Sequence, residues 1–255
     1  MTESISRPSF FWLLSEPGRA LLELSTFYPY HKIKPKTVVG DGHPVMTLPG
    51  FLSSEKSTKI LRGFIRDKGY DVYDWGLGRN MGKLQDMELL ITRIEEVYRL
   101  TGQQISLVGW SLGGVFARQV AKERPHLIRQ IITLGSPFSG LGQPNNIAWA
   151  YSALNGGKSV KHINEALLAN IPIPAPVPTT AIYSKIDGIV PWRFCMEMMP
   201  DDIHQNIEVY SSHIGMGVNF SVLAIIEDRL RQQKDTWDIF SPKGLLNNLI
   251  VYPSL

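Results

Sequence analysis

The amino-acid sequence predicts an α/β fold, with a mostly parallel central sheet and helices on both faces. Short apolar runs alternate with stretches of helical apolar spacing along most of the chain, and this alternation is typical of β-α-β units. The length of 255 residues suits one such domain with an insertion. An apolar content of 44% is ordinary for a globular protein with a large core.

The first predicted element is a helix within residues 9–30 that begins after Ser15, its N-cap, and has Pro17 in its first turn. Its apolar face allows two interpretations. Either it packs on the domain, or it lies on a membrane or over an acyl pocket as a peripheral contact.

Strands and helices then alternate. Apolar, often β-branched runs predict the strands, and apolar residues at three- and four-residue spacing predict the helices. The strands are predicted at residues 45–48, 70–75, 105–108, 128–134, 179–183 and 206–210, and the helices at 53–69, 83–100, 114–123 and 220–233.

The alternation of strands and helices is interrupted once, by residues 138–178. Together with the two ends of the chain, this insertion divides the sequence into four predicted parts. Residues 1–34 form an N-terminal helical segment, and the core comprises 35–137 and 179–233. Residues 138–178 form a short lid insertion with a proline-rich return, and 234–255 form a C-terminal tail. The lid either lines an acyl pocket or packs on the surface of its own domain.

Charge and motif content exclude several classes of function. The net charge of +3 is small and the Lys and Arg residues are scattered, so we expect no nucleic-acid partner. The chain has neither an H-E-x-x-H motif nor a Cys/His cluster, so we expect no metal and no cofactor.

Cysteine content and hydropathy predict a cytoplasmic protein. The single cysteine, Cys195, cannot form an intramolecular disulfide, and it is interpreted as a packing residue. The N-terminus lacks the features of a signal peptide. No apolar run approaches the ~20 residues that span a bilayer, so no transmembrane segment is expected.

The strongest functional signal is the segment Ile105–Gly114, ISLVGWSLGG. It contains G-x-S-x-G between a strand-like run and a helical stretch, which is the context of a nucleophile elbow. Such a turn places its central residue, Ser111, above the end of the sheet at a helix N-terminus, where negative charge is favoured. A serine is a weak nucleophile on its own, so the hypothesis requires a base and an acid.

His213 is the predicted general base. It directly follows the carboxyl end of the last predicted strand, in a glycine-rich loop, and ligand sites of parallel sheets lie at that edge. The other histidines precede the nucleophile or lie in unsuitable places; they are His31, His43, His126, His162 and His204.

Asp187 is the predicted acid that orients the imidazole of His213. It follows the strand 179–183, and the chain order Ser111, Asp187, His213 is one found among triad hydrolases. Asp201 and Asp202 compete for this role, but they precede the incoming end of the last strand.

Two backbone N–H groups are predicted to form an oxyanion hole. Leu112 follows the nucleophile and supplies one, and Phe51, after Pro49-Gly50, supplies the other. Apolar side chains near these loops are candidates for substrate binding; they are Leu52, Trp75 and Trp110.

The sequence resembles the α/β-hydrolase superfamily, in its bacterial lipase/esterase-like branch. The resemblance extends from about residue 40 to 230 through the motifs GHPVMTLPGF, DVYDWGLGRN, SLVGWSLGG, ITLGSPFSG, SKIDGIVP and SSHIGMGVN. It implies the α/β-hydrolase fold and the same roles for the nucleophile, acid, base and oxyanion residues. The chain has Pro49-Gly50 where the family often has His-Gly, which keeps the backbone role but removes a polar contact.

The expected function is therefore hydrolysis of carboxylic esters, with a small-molecule ester or acyl compound as substrate. An acyltransferase or thioesterase would use the same triad, and a non-catalytic binding protein could keep the fold alone.

Overall fold

Six parallel strands form one sheet in the part of the chain that the structure describes. This computed structural model describes residues 7–33, 38–83, 85–139, 169–242 and 251–253. The strands are β1 (Pro44–Leu48), β2 (Asp71–Asp74), β3 (Ile105–Trp110), β4 (Ile128–Leu134), β5 (Thr179–Tyr183) and β6 (His204–Glu208). Their order is β2-β1-β3-β4-β5-β6, and every neighbouring pair is parallel.

Helices cover both faces of this sheet. They are α1 (Phe10–Ile33), α2 (Lys59–Asp67), α3 (Gln85–Thr101), α4 (Leu112–Glu123) and α5 (Phe220–Arg231). One hydrophobic cluster joins α2 and α5 to one face, and a second joins α3 and α4 to the other. Successive residues of a strand pack in opposite clusters, because side chains alternate between the two faces of a sheet. In β4, for example, Ile131 packs in one cluster and Ile132 in the other. The predicted fold class is confirmed.

Parallel strands bring their carboxyl ends to one edge, which is where this type of sheet binds ligands. The loops that follow β1, β3, β5 and β6 therefore share that edge. It is called the carboxyl edge below, and it contains the predicted nucleophile, acid and base.

The predicted start of the first helix is wrong. Helix α1 begins at Phe10, and the backbone N–H of Trp12 donates to the Ser9 hydroxyl at 3.3 Å. The Ser15 hydroxyl instead donates to the Trp12 carbonyl inside the helix, at 3.0 Å. Pro17 also lies in the helix interior. The prediction is wrong because Ser9 offers the same capping chemistry as Ser15 and lies almost two turns earlier.

Strand β6 begins at His204, before the predicted residue 206. Its first two side chains are polar but buried. The His204 ring bonds the Ala175 carbonyl at 2.8 Å, and Gln205 bonds the backbone of Phe240 at 2.9 Å. An apolar pattern therefore cannot detect this end of the strand.

Arg118 of α4 connects the two ends of the predicted insertion. Its guanidinium lies 3.8 Å from the centroid of the Phe138 ring and donates to the Ile173 carbonyl at 3.0 Å. It also forms an ion pair with Glu197 in which both side chains are fully buried. Residues 140–168, and with them most of the predicted lid, lie outside the described residues.

None of the helices in the described ranges is both long enough and apolar enough to cross a membrane.

Candidate active site

Ser111 occupies a strained turn between β3 and α4. Its backbone has φ 52° and ψ −122°, a left-handed conformation that residues other than glycine rarely adopt. Its N–H donates to the Leu134 carbonyl at 2.8 Å. A Cβ at Gly109 would lie 2.4 Å from the Gly114 Cα, so a side chain there would block the close approach of strand and helix. The local structure is that of a nucleophile elbow.

Asp187 and His213 are hydrogen-bonded at the carboxyl edge. The distance between Asp187 Oδ2 and His213 Nδ1 is 2.6 Å, and both residues are buried. The other carboxylate oxygen accepts from the backbone N–H groups of Ile189 and Val190 at 2.7 and 2.8 Å. With Nδ1–H donating to the carboxylate, the neutral ring has Nε2 as its proton acceptor.

The electrostatic surroundings raise the pKa of His213. Burial alone would lower this pKa, because it disfavours the charged ring. The charge of Asp187, its hydrogen bond and the charge of Glu16 act in the opposite direction and outweigh burial. The site therefore stabilises an imidazolium.

Contacts around the elbow bring the histidine loop next to Ser111. The indole N–H of Trp110 donates to the His213 carbonyl at 3.0 Å. Gly135, which follows β4, passes so close to His213 that a Cβ there would lie 3.0 Å from Nδ1. Ser111, Asp187 and His213 consequently share one edge of the sheet.

The loop after β1 passes beside Ser111. A Cβ on Gly50 would lie 3.2 Å from the Ser111 Cβ. Leu52 has a positive φ of 60°, and its N–H donates to the Asn80 carbonyl at 2.7 Å. Leu112 is the first residue of α4, where backbone N–H groups have no acceptor inside the helix. The predicted oxyanion residues, Phe51 and Leu112, thus flank Ser111 from two sides.

Comparison with known proteins identifies the fold. A model of the PGAP1-like alpha/beta domain matches residues 64–155. The solved structure of lipase B from Aspergillus fumigatus superposes with a TM-score of 0.56 at 17% identity, over 79% of this chain and 56% of that one. Mature lipase BlEst2 from Bacillus licheniformis gives a TM-score of 0.57 at 16% identity, over 77% and 93%. The chain has the α/β-hydrolase fold.

A monoacylglycerol lipase from Paleococcus ferrophilus has the same fold, with a TM-score of 0.54 at 14% identity, over 74% of this chain and 93% of that one. This chain spans just over half the length of the Aspergillus lipase. Among curated protein sequences, none matches it. The α/β-hydrolase fold is thus shown by structure, at identities too low to transfer a substrate.

The competing acids lie at the opposite edge of this α/β-hydrolase sheet. Asp201 Oδ1 bonds His204 Nδ1 at 2.7 Å at the amino end of β6, and Asp202 is its exposed neighbour. His43 also lies at that edge. It bonds Asp41 at 2.5 Å and the Ser106 hydroxyl at 2.8 Å. Ser106 is completely buried, so no substrate can reach this second hydrogen-bonded set of Asp41, His43 and Ser106.

The three residues predicted to contact substrate lie in different environments. Leu52 is half-buried in the loop beside Ser111. Trp110 is bound to the histidine loop, as described above. Trp75 is 0% exposed and packs in the hydrophobic cluster that joins α3 and α4 to the sheet. Its ring N–H donates to the Gly78 carbonyl at 2.8 Å. Their roles as substrate contacts stay predictions.

Sequence reasoning missed three polar residues that hold the site's loops. Asn80 is completely buried; its side chain donates to the Pro49 carbonyl at 2.8 Å, and its backbone N–H donates to the Ser53 carbonyl at 2.8 Å. Glu16 and Glu23 of α1 bond the loops after β5 and β6. Their spacing of seven residues places both on one helical face, but solvated glutamates share this spacing, so it does not reveal their role.

Proposed function

We propose that the protein is a serine hydrolase that cleaves small carboxylic esters, with Ser111 as nucleophile, His213 as general base and Asp187 as the orienting acid. The observation that carries this proposal is the buried Asp187–His213 hydrogen bond beside a serine held in an elbow. The fold shared with lipases supports the same reaction class.

In the first half of the reaction, Ser111 Oγ attacks the ester carbonyl carbon while His213 Nε2 takes the hydroxyl proton. The carbonyl oxygen becomes an oxyanion, which accepts hydrogen bonds from the backbone N–H groups of Phe51 and Leu112. His213 then protonates the leaving alcohol, and the C–O bond of the ester breaks. The acyl group remains on Ser111 as an ester.

In the second half, water attacks the acyl-enzyme. His213 takes a proton from this water and returns it to Ser111 Oγ when the acyl bond breaks. Asp187 holds the ring in the required tautomer and stabilises its charged form in both halves. The products are a carboxylic acid and an alcohol, and no step requires a metal or an organic cofactor.

A series of p-nitrophenyl esters of increasing acyl length tests this proposal. Wild-type protein should hydrolyse the esters, and each added CH₂ that becomes buried against the protein should increase kcat/KM roughly fourfold. Ser111→Ala should lose at least two orders of magnitude in kcat. Turnover of Ser111→Ala at the wild-type rate would contradict the mechanism. Acyl-thioesters and added alcohols in the same assay distinguish hydrolysis from thioesterase or acyltransferase activity.

We further propose that α1 contacts a lipid surface through its outer face. Every exposed residue between Phe10 and Phe27 is uncharged, whereas the outer face of a helix in a globular protein is normally charged. Large apolar side chains dominate this outer α1 face, which is formed by Phe10, Phe11, Leu14, Leu21 and Leu22. A helix with one apolar face and a polar opposite face can lie in the interfacial region of a bilayer with its apolar side chains buried, so a bilayer is the proposed occupant.

A further inference from the structure

The inner face of α1 carries two carboxylates to the carboxyl edge of the sheet. Glu16 and Glu23 are seven residues apart and therefore lie on the same side of the helix. Glu16 is only 1% exposed. A buried carboxylate is costly unless hydrogen bonds and opposite charges compensate it, so the partners of Glu16 indicate what it does.

Glu16 bridges the acid loop and the base loop. Its Oε1 accepts from the backbone N–H of Gly188 at 2.8 Å and from that of His213 at 3.0 Å. Its Oε2 accepts from the backbone N–H of Ile214 at 3.0 Å. Gly188 directly follows Asp187, so one carboxylate fixes the positions of both halves of the Asp187–His213 pair.

Helix α1 has further contacts with the same loops. Glu23 accepts from the Ser212 N–H at 2.7 Å, one residue before His213. A Cβ at Gly188 would lie 2.4 Å from the Trp12 backbone, so only glycine allows the helix to pass this closely. The base loop is thus held from two points along one helix.

We infer that Glu16 is a positioning residue for the hydrolytic reaction, holding Asp187 and His213 in register and adding a negative charge that stabilises the imidazolium. This inference rests on the proposed function. Its physical basis is that catalysis by aligned groups is sensitive to shifts of about 1 Å, which can cost on the order of 100-fold in rate.

The charges that face His213 from its described surroundings determine the pH dependence. They are Asp187 from the β5 loop and Glu16 from α1, with Arg19 behind Glu16 at 2.8 Å and Glu23 beside Ser212. Because the pKa of His213 is raised, the base is neutral only above it. Activity should therefore fall as pH decreases through a midpoint above the ordinary histidine value of about 6.5.

The test is the variant Glu16→Gln, which keeps the size of the side chain but removes its charge and one acceptor. With p-nitrophenyl butyrate, kcat should fall about 10- to 100-fold while KM changes less than threefold. The acid midpoint of kcat/KM should move to lower pH. Glu23→Gln is the matched comparison: it removes a carboxylate from the same helix face that bonds Ser212 rather than His213, so the acid midpoint should move less than in Glu16→Gln.

The variant Arg19→Gln provides an independent test, in which the acid midpoint of kcat/KM should shift in the opposite direction. Arg19 neutralises part of the charge of Glu16, so its removal should move the acid midpoint to higher pH, even if Glu16→Gln does not fold. A folded Glu16→Gln with wild-type kcat and midpoint would overturn the inference, as would a midpoint unmoved in Arg19→Gln. If wild-type protein neither hydrolyses esters nor reacts with a fluorophosphonate, the proposed function itself fails and the inference with it.

Discussion

Ser111 is held in a conformation that costs free energy. A residue other than glycine in a rarely populated backbone region is destabilised by about 1–3 kcal/mol. The surrounding structure compensates, since the Ser111 N–H bonds the Leu134 carbonyl and Gly109 lets β3 and α4 approach. Strain of this kind concentrates at functional sites, and here it presents the hydroxyl above the sheet.

The assignment of the acid can be tested at the level of single atoms. Asp187→Asn should lower kcat by two to four orders of magnitude, because an amide cannot stabilise the imidazolium and favours the wrong tautomer of His213. Asp201→Asn has the same chemistry at the opposite edge of the sheet, where it bonds His204. It should keep wild-type kcat for ester hydrolysis. The reverse pattern, with a harmless Asp187→Asn and a damaging Asp201→Asn, would show that the acid is misassigned.

The two faces of helix α1 differ in their residues and in their contacts. Its inner face carries Glu16 and Glu23 to the loops of Asp187 and His213, and the exposed residues of its outer face are uncharged and mostly apolar. Burial raises the pKa of Glu23, although hydrogen bonds from Ser212 and Ser211 and the charge of Arg19 partly oppose this shift. Helix α1 thereby connects the proposed active site to the surface proposed to contact lipid.

Flotation with neutral phosphatidylcholine vesicles tests the lipid contact of the outer α1 face. Wild-type protein should float with the vesicles. The double variant Leu21→Ser/Leu22→Ser should bind at least about 100-fold more weakly, because burying each leucine contributes about 1.5–3 kcal/mol.

The matched control is Leu89→Ser/Leu100→Ser, which removes two exposed leucines from α3 and should float like wild type. Equal binding by both double variants, or no binding by wild type, would refute the lipid contact.

Across the whole molecule, the features that sequence predicts best are those with a strong local signal. The strand 179–183 is found at the predicted residues, since its side chains are all buried and apolar or β-branched. The parallel sheet follows from the alternation of strands and helices. The positions of Ser111, Asp187 and His213 at one edge follow from the loops that carry them, because all the described strands point the same way.

The features that sequence did not predict depend on contacts between distant residues. Glu16 bonds Gly188 and His213 across more than 170 positions of the chain, and no local pattern distinguishes it from a solvated glutamate. Asn80 has the same character, since its partner Pro49 lies 31 residues away. The polar start of β6 is buried only because the Ala175 and Phe240 backbones supply acceptors.

The central claim is that Ser111 is a nucleophile activated by His213, and intact-protein mass spectrometry measures its covalent reaction directly. Incubation with a fluorophosphonate should add one phosphonyl group per chain, and peptide mapping should locate it on Ser111. Ser111→Ala should show no adduct, and His213→Ala should react at least 100-fold more slowly because the base is absent. An adduct of equal yield on Ser111→Ala, or a wild-type protein that remains unmodified, would contradict the account.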